Sequence, residues 1–260
     1  MPFARLADID VHYEIAGEGP WLTLSHPLAG DLGMWAPQMS ALTANFRVLR
    51  FDTRGHGSTS ATPAPYTLEQ LADDAAALLD HLGIARTHWL GLSMGGMIGQ
   101  VLALRRPGLL DRLVLADSTA RRPANAAAMW AERCAQARDG GMASLVAPTL
   151  QRWFTTAYAT AHPETLSWIG DVVARTAVEG YCGCAAAIAR IDVLDRLHEI
   201  ESAALIMVGE HDHATPPELS EQMSRHWPGS EYCVIPGAAH AGNIEQADFF
   251  NRRVLDFLLR

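Results

Sequence analysis

The chain contains no lysine: all 20 of its basic residues are arginine. That absence removes every mechanism that needs a side-chain amine, including Schiff bases, lysine-activated nucleophiles and the phosphate-gripping lysine of a P-loop. Clusters of positive charge are also missing. The formal net charge is −9 and the basic residues gather no further than pairs such as Arg105-Arg106 and Arg121-Arg122, so nothing draws phosphates in, and no nucleic-acid partner is expected. No apolar run reaches the roughly 18 residues of a membrane span, so no membrane partner is expected either. Met1 to Gly19 mixes Arg5, Asp8, Asp10 and Glu14 among its apolar residues and lacks the continuous apolar segment of a signal peptide. Cys134, Cys182, Cys184 and Cys233 match neither a metal knuckle nor a small disulfide framework. They read as reduced thiols in a cytoplasmic protein.

What remains is a chain of 260 residues, 49% hydrophobic and 19% charged, with 7 Trp and 7 Phe, too apolar and aromatic to stay unfolded. At this length, roughly 30,000 Å² leaves water on folding, about 70% of the extended chain's surface. One large core is affordable, and an α/β fold can run this long as a single unit.

Ile9 to Ile15 alternates with period 2, breaks at Gly17 and Gly19-Pro20, and is followed by Trp21-Leu22-Thr23-Leu24, which suggests an antiparallel opening hairpin. Strands and helices then alternate. Phe46 to Phe51 is a strand, Thr67 to Leu82 an amphipathic helix, His88 to Leu90 a strand, Met97 to Arg105 an apolar helix and Leu113 to Ala116 a strand. This rhythm predicts an α/β fold with a mostly parallel central sheet and helices on both faces. Between residues 118 and 195 the pattern becomes alanine-rich and helical, so a helical cap is expected after the sixth strand, with 1–117 and 196–260 forming the core. Strands resume at Leu205 to Val208 and Tyr232 to Ile235, separated by a helix over Pro217 to His226 and closed by one over Gln246 to Leu259.

Gly91-Leu92-Ser93-Met94-Gly95-Gly96 lies directly between a predicted strand and a predicted helix. A serine on such a sharp turn needs small neighbours, because helix and strand approach closely, and its hydroxyl stands at a helix N-terminus that favours developing negative charge. Ser93 is therefore the candidate nucleophile. A serine needs a base, and the base needs an orienting carboxylate, in the chain order serine, acid, histidine. His240, in the loop Pro236-Gly237-Ala238-Ala239-His240, is the candidate base, the plainer alternative being a cap on the last helix. Asp212, after the strand ending at Val208, is the candidate acid; Glu210 and Asp117 compete, Glu210 more readily facing solvent and Asp117 available to a rearranged triad. Backbone N–H groups of Met94 and Leu28 are the candidate oxyanion hole, since Pro27 cannot donate. Asp52 is expected to pair with Arg54. His211-Asp212-His213 resembles a fragment of a metal site but lacks further ligands, so no metal is expected. His12, His81, His88, His162, His198 and His226 read as surface or partly packed residues.

At these residues the sequence resembles the α/β-hydrolase superfamily and, more narrowly, the 3-oxoadipate enol-lactonases. The resemblance spans almost the whole chain and rests on Asp31-Leu32-Gly33-Met34-Trp35, Arg50 to Ser58, Gly91 to Gln100, and cap residues including Trp130, Arg133, Arg152-Trp153-Phe154 and Gly180 to Cys184. It implies a serine hydrolase of a small lactone or ester, foremost 3-oxoadipate enol-lactone, that uses no cofactor; the alternatives are a carboxylesterase, an acyl-homoserine lactonase or a carbon-carbon bond hydrolase of the same fold, and a non-catalytic receptor that binds a small ligand. His26-Pro27 stands where a polar Asn-Ser pair is expected, so His26 either touches substrate or packs under the cap. Because the substrate of such a family carries carboxylate, Arg133 and Arg152 are candidate clamps and Trp130 and Trp153 candidate contacts; the alternative is ion pairs within the cap and simple packing.

Overall fold

Strand residues alternate between two apolar environments, and that alternation builds the sheet. The computed structural model describes residues 2–260. Its sheet contains β1 (Phe3–Arg5), β2 (Asp10–Ala16), β3 (Trp21–Ser25), β4 (Arg47–Phe51), β5 (Thr87–Leu92), β6 (Leu110–Ala116), β7 (Ala203–Gly209) and β8 (Glu231–Ile235), in the order β1-β2-β4-β3-β5-β6-β7-β8. Along β6, Leu113 and Leu115 enter one core while Val114 and Ala116 enter the other; along β7, Ala204 and Ile206 oppose Leu205 and Met207 in the same way. Period 2 with both faces apolar is what a sheet covered on two sides requires. On one face lie α2 (Leu68–His81), α3 (Met94–Arg105) and α9 (Pro217–His226); on the other lie α1 (Ala36–Thr43) and α11 (Ala247–Leu258).

The pairing departs from the expected opening hairpin. β2 runs antiparallel to β1 and β4, whereas β3 lies parallel between β4 and β5. A local pattern shows that two segments are strands but not which edges they share; here the buried centre takes the more apolar β3. Elsewhere the elements fall close to expectation. Helix α2 begins where Thr67 accepts the Gln70 N–H at 3.1 Å, and α9 covers the expected residues.

Between β6 and β7 the chain forms α4 (Ala126–Gly140), α5 (Ala143–Trp153), α6 (Thr156–Ala161), α7 (Pro163–Arg175) and α8 (Val178–Ile188), with no strand among the described residues. These helices cover the C-terminal ends of the central strands, bringing Trp130 and Trp153 to the same cavity as Ser93. Among the described residues no helix is long and apolar enough to cross a membrane.

Asp52 does not pair with Arg54 as the sequence suggested. Its carboxylate accepts from His12 Nδ1 at 2.7 Å and from the N–H groups of Leu32 and Ser58 at 2.8 and 2.9 Å. Arg54, 2% exposed, instead binds Asp8 and Asp74. Burial pushes Asp74 above the ordinary carboxylate range, and its bonds to Arg54 pull it back only in part. Arg54→Leu should therefore cost about 3 kcal/mol, because it strands a largely buried carboxylate, whereas Asp8→Asn on the exposed arm should cost less than about 1 kcal/mol. Urea denaturation measures both, and the Arg54→Leu deficit should shrink as falling pH protonates Asp74. Equal costs for the two variants would contradict this reading.

Candidate active site

Ser93 occupies the single residue between β5 and α3 and is held at φ +53°, ψ −110°. For a non-glycine residue that conformation stores on the order of 1–3 kcal/mol, and surrounding structure must impose it. Close packing does so: a Cβ on Gly95 would meet the Ser25 carbonyl oxygen at 2.0 Å, and one on Gly91 would meet the Gly95 carbonyl oxygen at 2.3 Å. The Ser93 N–H donates to Ala116 O at 2.8 Å, and the Ser118 hydroxyl donates to the Ser93 carbonyl at 2.9 Å. The end of β6 and the residues just after it thus fix the turn from both sides, leaving the side chain to face the cavity.

His240 lines that cavity too. Its Nδ1 lies 2.8 Å from Asp212 Oδ2. Asp212 projects from the turn after β7 and is 1% exposed. Its other donors are the N–H groups of Ala214 and Thr215 at 2.7 and 3.0 Å and the Thr215 hydroxyl at 2.7 Å. Burial would raise this carboxyl, but the opposing charge and N–H of His240 and the Thr215 bonds outweigh it and hold Asp212 below its usual range. It is therefore an anion that can fix the His240 ring and stabilise an imidazolium. Glu210 faces solvent as expected and accepts from the Gly237 N–H at 2.9 Å.

Leu28 lines the cavity from the loop after β3, and Met94 opens α3, whose first amides have no partner within the helix. The loop around Leu28 is fastened by two imidazoles. His56 Nε2 accepts the Ala29 N–H at 3.0 Å, and His26 Nε2 accepts the Thr53 N–H at 2.9 Å. Each uses its other nitrogen as donor, His56 to Arg54 O at 3.2 Å and His26 to Pro27 O at 2.8 Å. Burial first, and then the neighbouring His26, push His56 down to about 3, so it stays an acceptor. His26 is fully buried with both nitrogens engaged and does not line the cavity; of the two roles open to it in the sequence, the structure gives it the packing one, one layer behind Leu28. His12 and His88 are also buried, His12 because Asp52 supplies its partner, while His81, His162, His198 and His226 are exposed.

Arg133 and Arg152 both reach the cavity, and Arg122, which sequence reasoning missed, joins them. None of the three pairs with a carboxylate among the described residues. Arg133 lies 4.7 Å over the Trp130 ring, Arg152 donates to the Thr149 hydroxyl at 3.2 Å, and Arg122 donates to Ala214 O at 3.2 Å while its Nε has no acceptor. Burial and repulsion from Arg133 push Arg122 down to about 10 despite Asp212, and lower Arg152 as well. Only its position six residues after β6, the strand that ends beside the elbow, could have marked Arg122.

Strand order, the turn at Ser93 and helices spanning the strand ends together define an α/β hydrolase. The chain belongs to that fold family, whose profile matches residues 20–247, and it is a hydrolase. It is similar to 3-oxoadipate enol-lactonase 2 of Acinetobacter baylyi, 32% identical over 95% of this chain and 92% of that one. The solved enol-lactonase of Burkholderia xenovorans LB400 superposes with a TM-score of 0.96 at 41% identity, covering 100% of both chains. A relative from Agrobacterium fabrum named for carbamate hydrolysis is 31% identical over 96% of this chain and 98% of its own.

A fluorophosphonate probe should label the wild type on the Ser93 peptide alone and leave Ser93→Ala unlabelled. Intact-protein and peptide mass spectrometry read this directly; labelling that survives the substitution would remove Ser93 as the nucleophile.

Proposed function

We propose that the protein opens a small lactone or ester bearing carboxylate, with 3-oxoadipate enol-lactone the leading candidate, through an acyl-enzyme on Ser93. The observation that carries this reading is one cavity holding a serine, a histidine and three guanidiniums that have no carboxylate partner among the described residues. Half-buried cations that repel one another are stabilised by an anion, and a guanidinium binds carboxylate with two parallel N–H bonds. The similarity to enol-lactonases over the full chain supports the same substrate class.

In this mechanism His240 takes the Ser93 proton as the hydroxyl oxygen attacks the ring carbonyl, while Asp212 stabilises the imidazolium. The N–H groups of Met94 and Leu28 receive the developing oxyanion; each such donor is worth about 3 kcal/mol of transition-state stabilisation. Collapse of the tetrahedral intermediate breaks the ring C–O bond. An enol-lactone releases an enolate, which takes the proton from His240 and becomes a ketone that cannot readily reclose the ring. Water, deprotonated by His240, then attacks the acyl carbon and frees Ser93. No step calls for a metal or organic cofactor. A carbamate is a rival substrate, given the Agrobacterium relative, but a small carbamate has little use for three cations.

Arg122→Met, Arg133→Met and Arg152→Met should each raise KM for the enol-lactone by about 10- to 100-fold, the worth of a charged hydrogen bond. The same variants should change KM for a neutral aryl acetate by less than about threefold, since that ester offers no anion to pair. Steady-state kinetics on both substrates makes the comparison. Equal effects on the two would contradict a carboxylate clamp.

A further inference from the structure

A second carboxyl group is buried beside the candidate triad, and the mechanism above does not use it. Asp117 follows β6, is fully buried and holds a left-handed backbone at φ +48°. Its N–H donates to Met207 O at 2.8 Å and its Oδ1 accepts the Gly209 N–H at 2.7 Å, so it grips the end of β7, three residues before Asp212. Its Oδ2 receives no hydrogen bond from the protein. Oxygen atoms of Asp117 and Asp212 and a ring nitrogen of His240 all lie within 4.8 Å of one another.

Two carboxyl groups this close and this dry cannot both be ionised. Hydrogen bonding decides which one keeps the proton. Asp212 has donors from Ala214, Thr215 and His240, whereas Asp117 has the Gly209 N–H alone. The other titratable group facing Asp117 is Glu245, on the short helix Gly242–Glu245, whose charge opposes ionisation at 117. Glu245 is itself held by the Thr155 N–H and hydroxyl at 2.8 and 2.7 Å and by the Ala239 N–H. The nearby cation, Arg122, acts on Asp212. Burial, then the Asp212 charge, push Asp117 well above the ordinary carboxylate range.

We propose that Asp117 is a positioning residue and reserve acid: it keeps a proton while Asp212 is ionised, and it ionises to become the partner of His240 Nδ1 when residue 212 carries no charge. The proton that leaves Asp117 passes to solvent, and the imidazole N–H then donates to its carboxylate. An oxygen of each carboxyl lies within 4.8 Å of a ring nitrogen of His240. This rests on the triad reading given above, because it concerns the group that orients His240.

The test is a double-mutant cycle on aryl acetate hydrolysis, with Ser93→Ala as a control in each background. Loss of the carboxylate from a triad with no substitute costs about 10⁴-fold in kcat. Asp212→Asn alone should lose only about 10²-fold, and adding Asp117→Asn should carry it to the full loss, so the second substitution costs at least tenfold more in this background than beside Asp212. The residual activity of Asp212→Asn should rise with pH as Asp117 ionises, a dependence missing from the double variant. Infrared difference spectra of the wild type at neutral pH should show the carbonyl stretch of a buried carboxylic acid that vanishes in Asp117→Asn. Additive losses, a pH-independent Asp212→Asn or no such band would overturn the proposal. Turnover that survives Ser93→Ala would instead overturn the triad reading itself.

Discussion

The close contact between α3 and the ends of β3 and β5 is the constraint on which the rest of this molecule depends. Because no Cβ fits at Gly91 or Gly95, the helix seats on the strands closely enough to force Ser93 into a backbone conformation it would not choose alone. The strain is offset by the sheet, through the Ser93 N–H on β6 and the Ser118 hydroxyl on the Ser93 carbonyl. One steric fact thus presents a hydroxyl at the cavity and opens a helix beneath it. The parallel sheet then decides where partners can come from: chain leaving the C-terminal ends of neighbouring strands brings Asp212 and His240 to the same place.

Around this turn the protein keeps its site rigid with histidines that hold backbone groups through both ring nitrogens. His26 and His56 each donate through one nitrogen and accept a backbone N–H through the other, tying the Leu28 loop to the segment after β4. A charged imidazole could not accept those amides, so burial, by keeping His56 neutral, preserves the loop. Positive charge is left for the cavity roof and wall, where Arg122, Arg133 and Arg152 have no carboxylate partner among the described residues. The absence of lysine is consistent with this use of cations, since a planar guanidinium can stack on Trp130 and still present donors.

Much of the fold was legible because helix and strand periods persist in both buried layers: Leu113 to Ala116, Leu205 to Val208 and the α9 segment read directly. Pairing was less legible. The Ile9–Ile15 and Trp21–Leu24 segments look like a hairpin locally, but burial of β3 between two parallel neighbours is a property of the whole sheet. At the site, Ser93, Asp212 and His240 stand out because their loop contexts are distinctive, and the structure gathers them. The partners of Asp52 and Arg54 were misjudged from nearness in sequence; spatial neighbours 20 to 46 residues away from them supply the better geometry. Arg122 left no sequence signature, since one arginine after a strand looks like any other until the helices fold over it.

A covalent intermediate on Ser93, formed from a carboxylated lactone, is the step on which the proposed chemistry turns. A lactone has a distinguishing property: its leaving group stays tethered, so acylation adds the entire substrate mass to the serine. Rapid-quench mass spectrometry with 3-oxoadipate enol-lactone should therefore find the Ser93 peptide heavier by the whole lactone during turnover, and no adduct in Ser93→Ala. Steady turnover of the lactone without that adduct, or with activity surviving the substitution, would contradict the account.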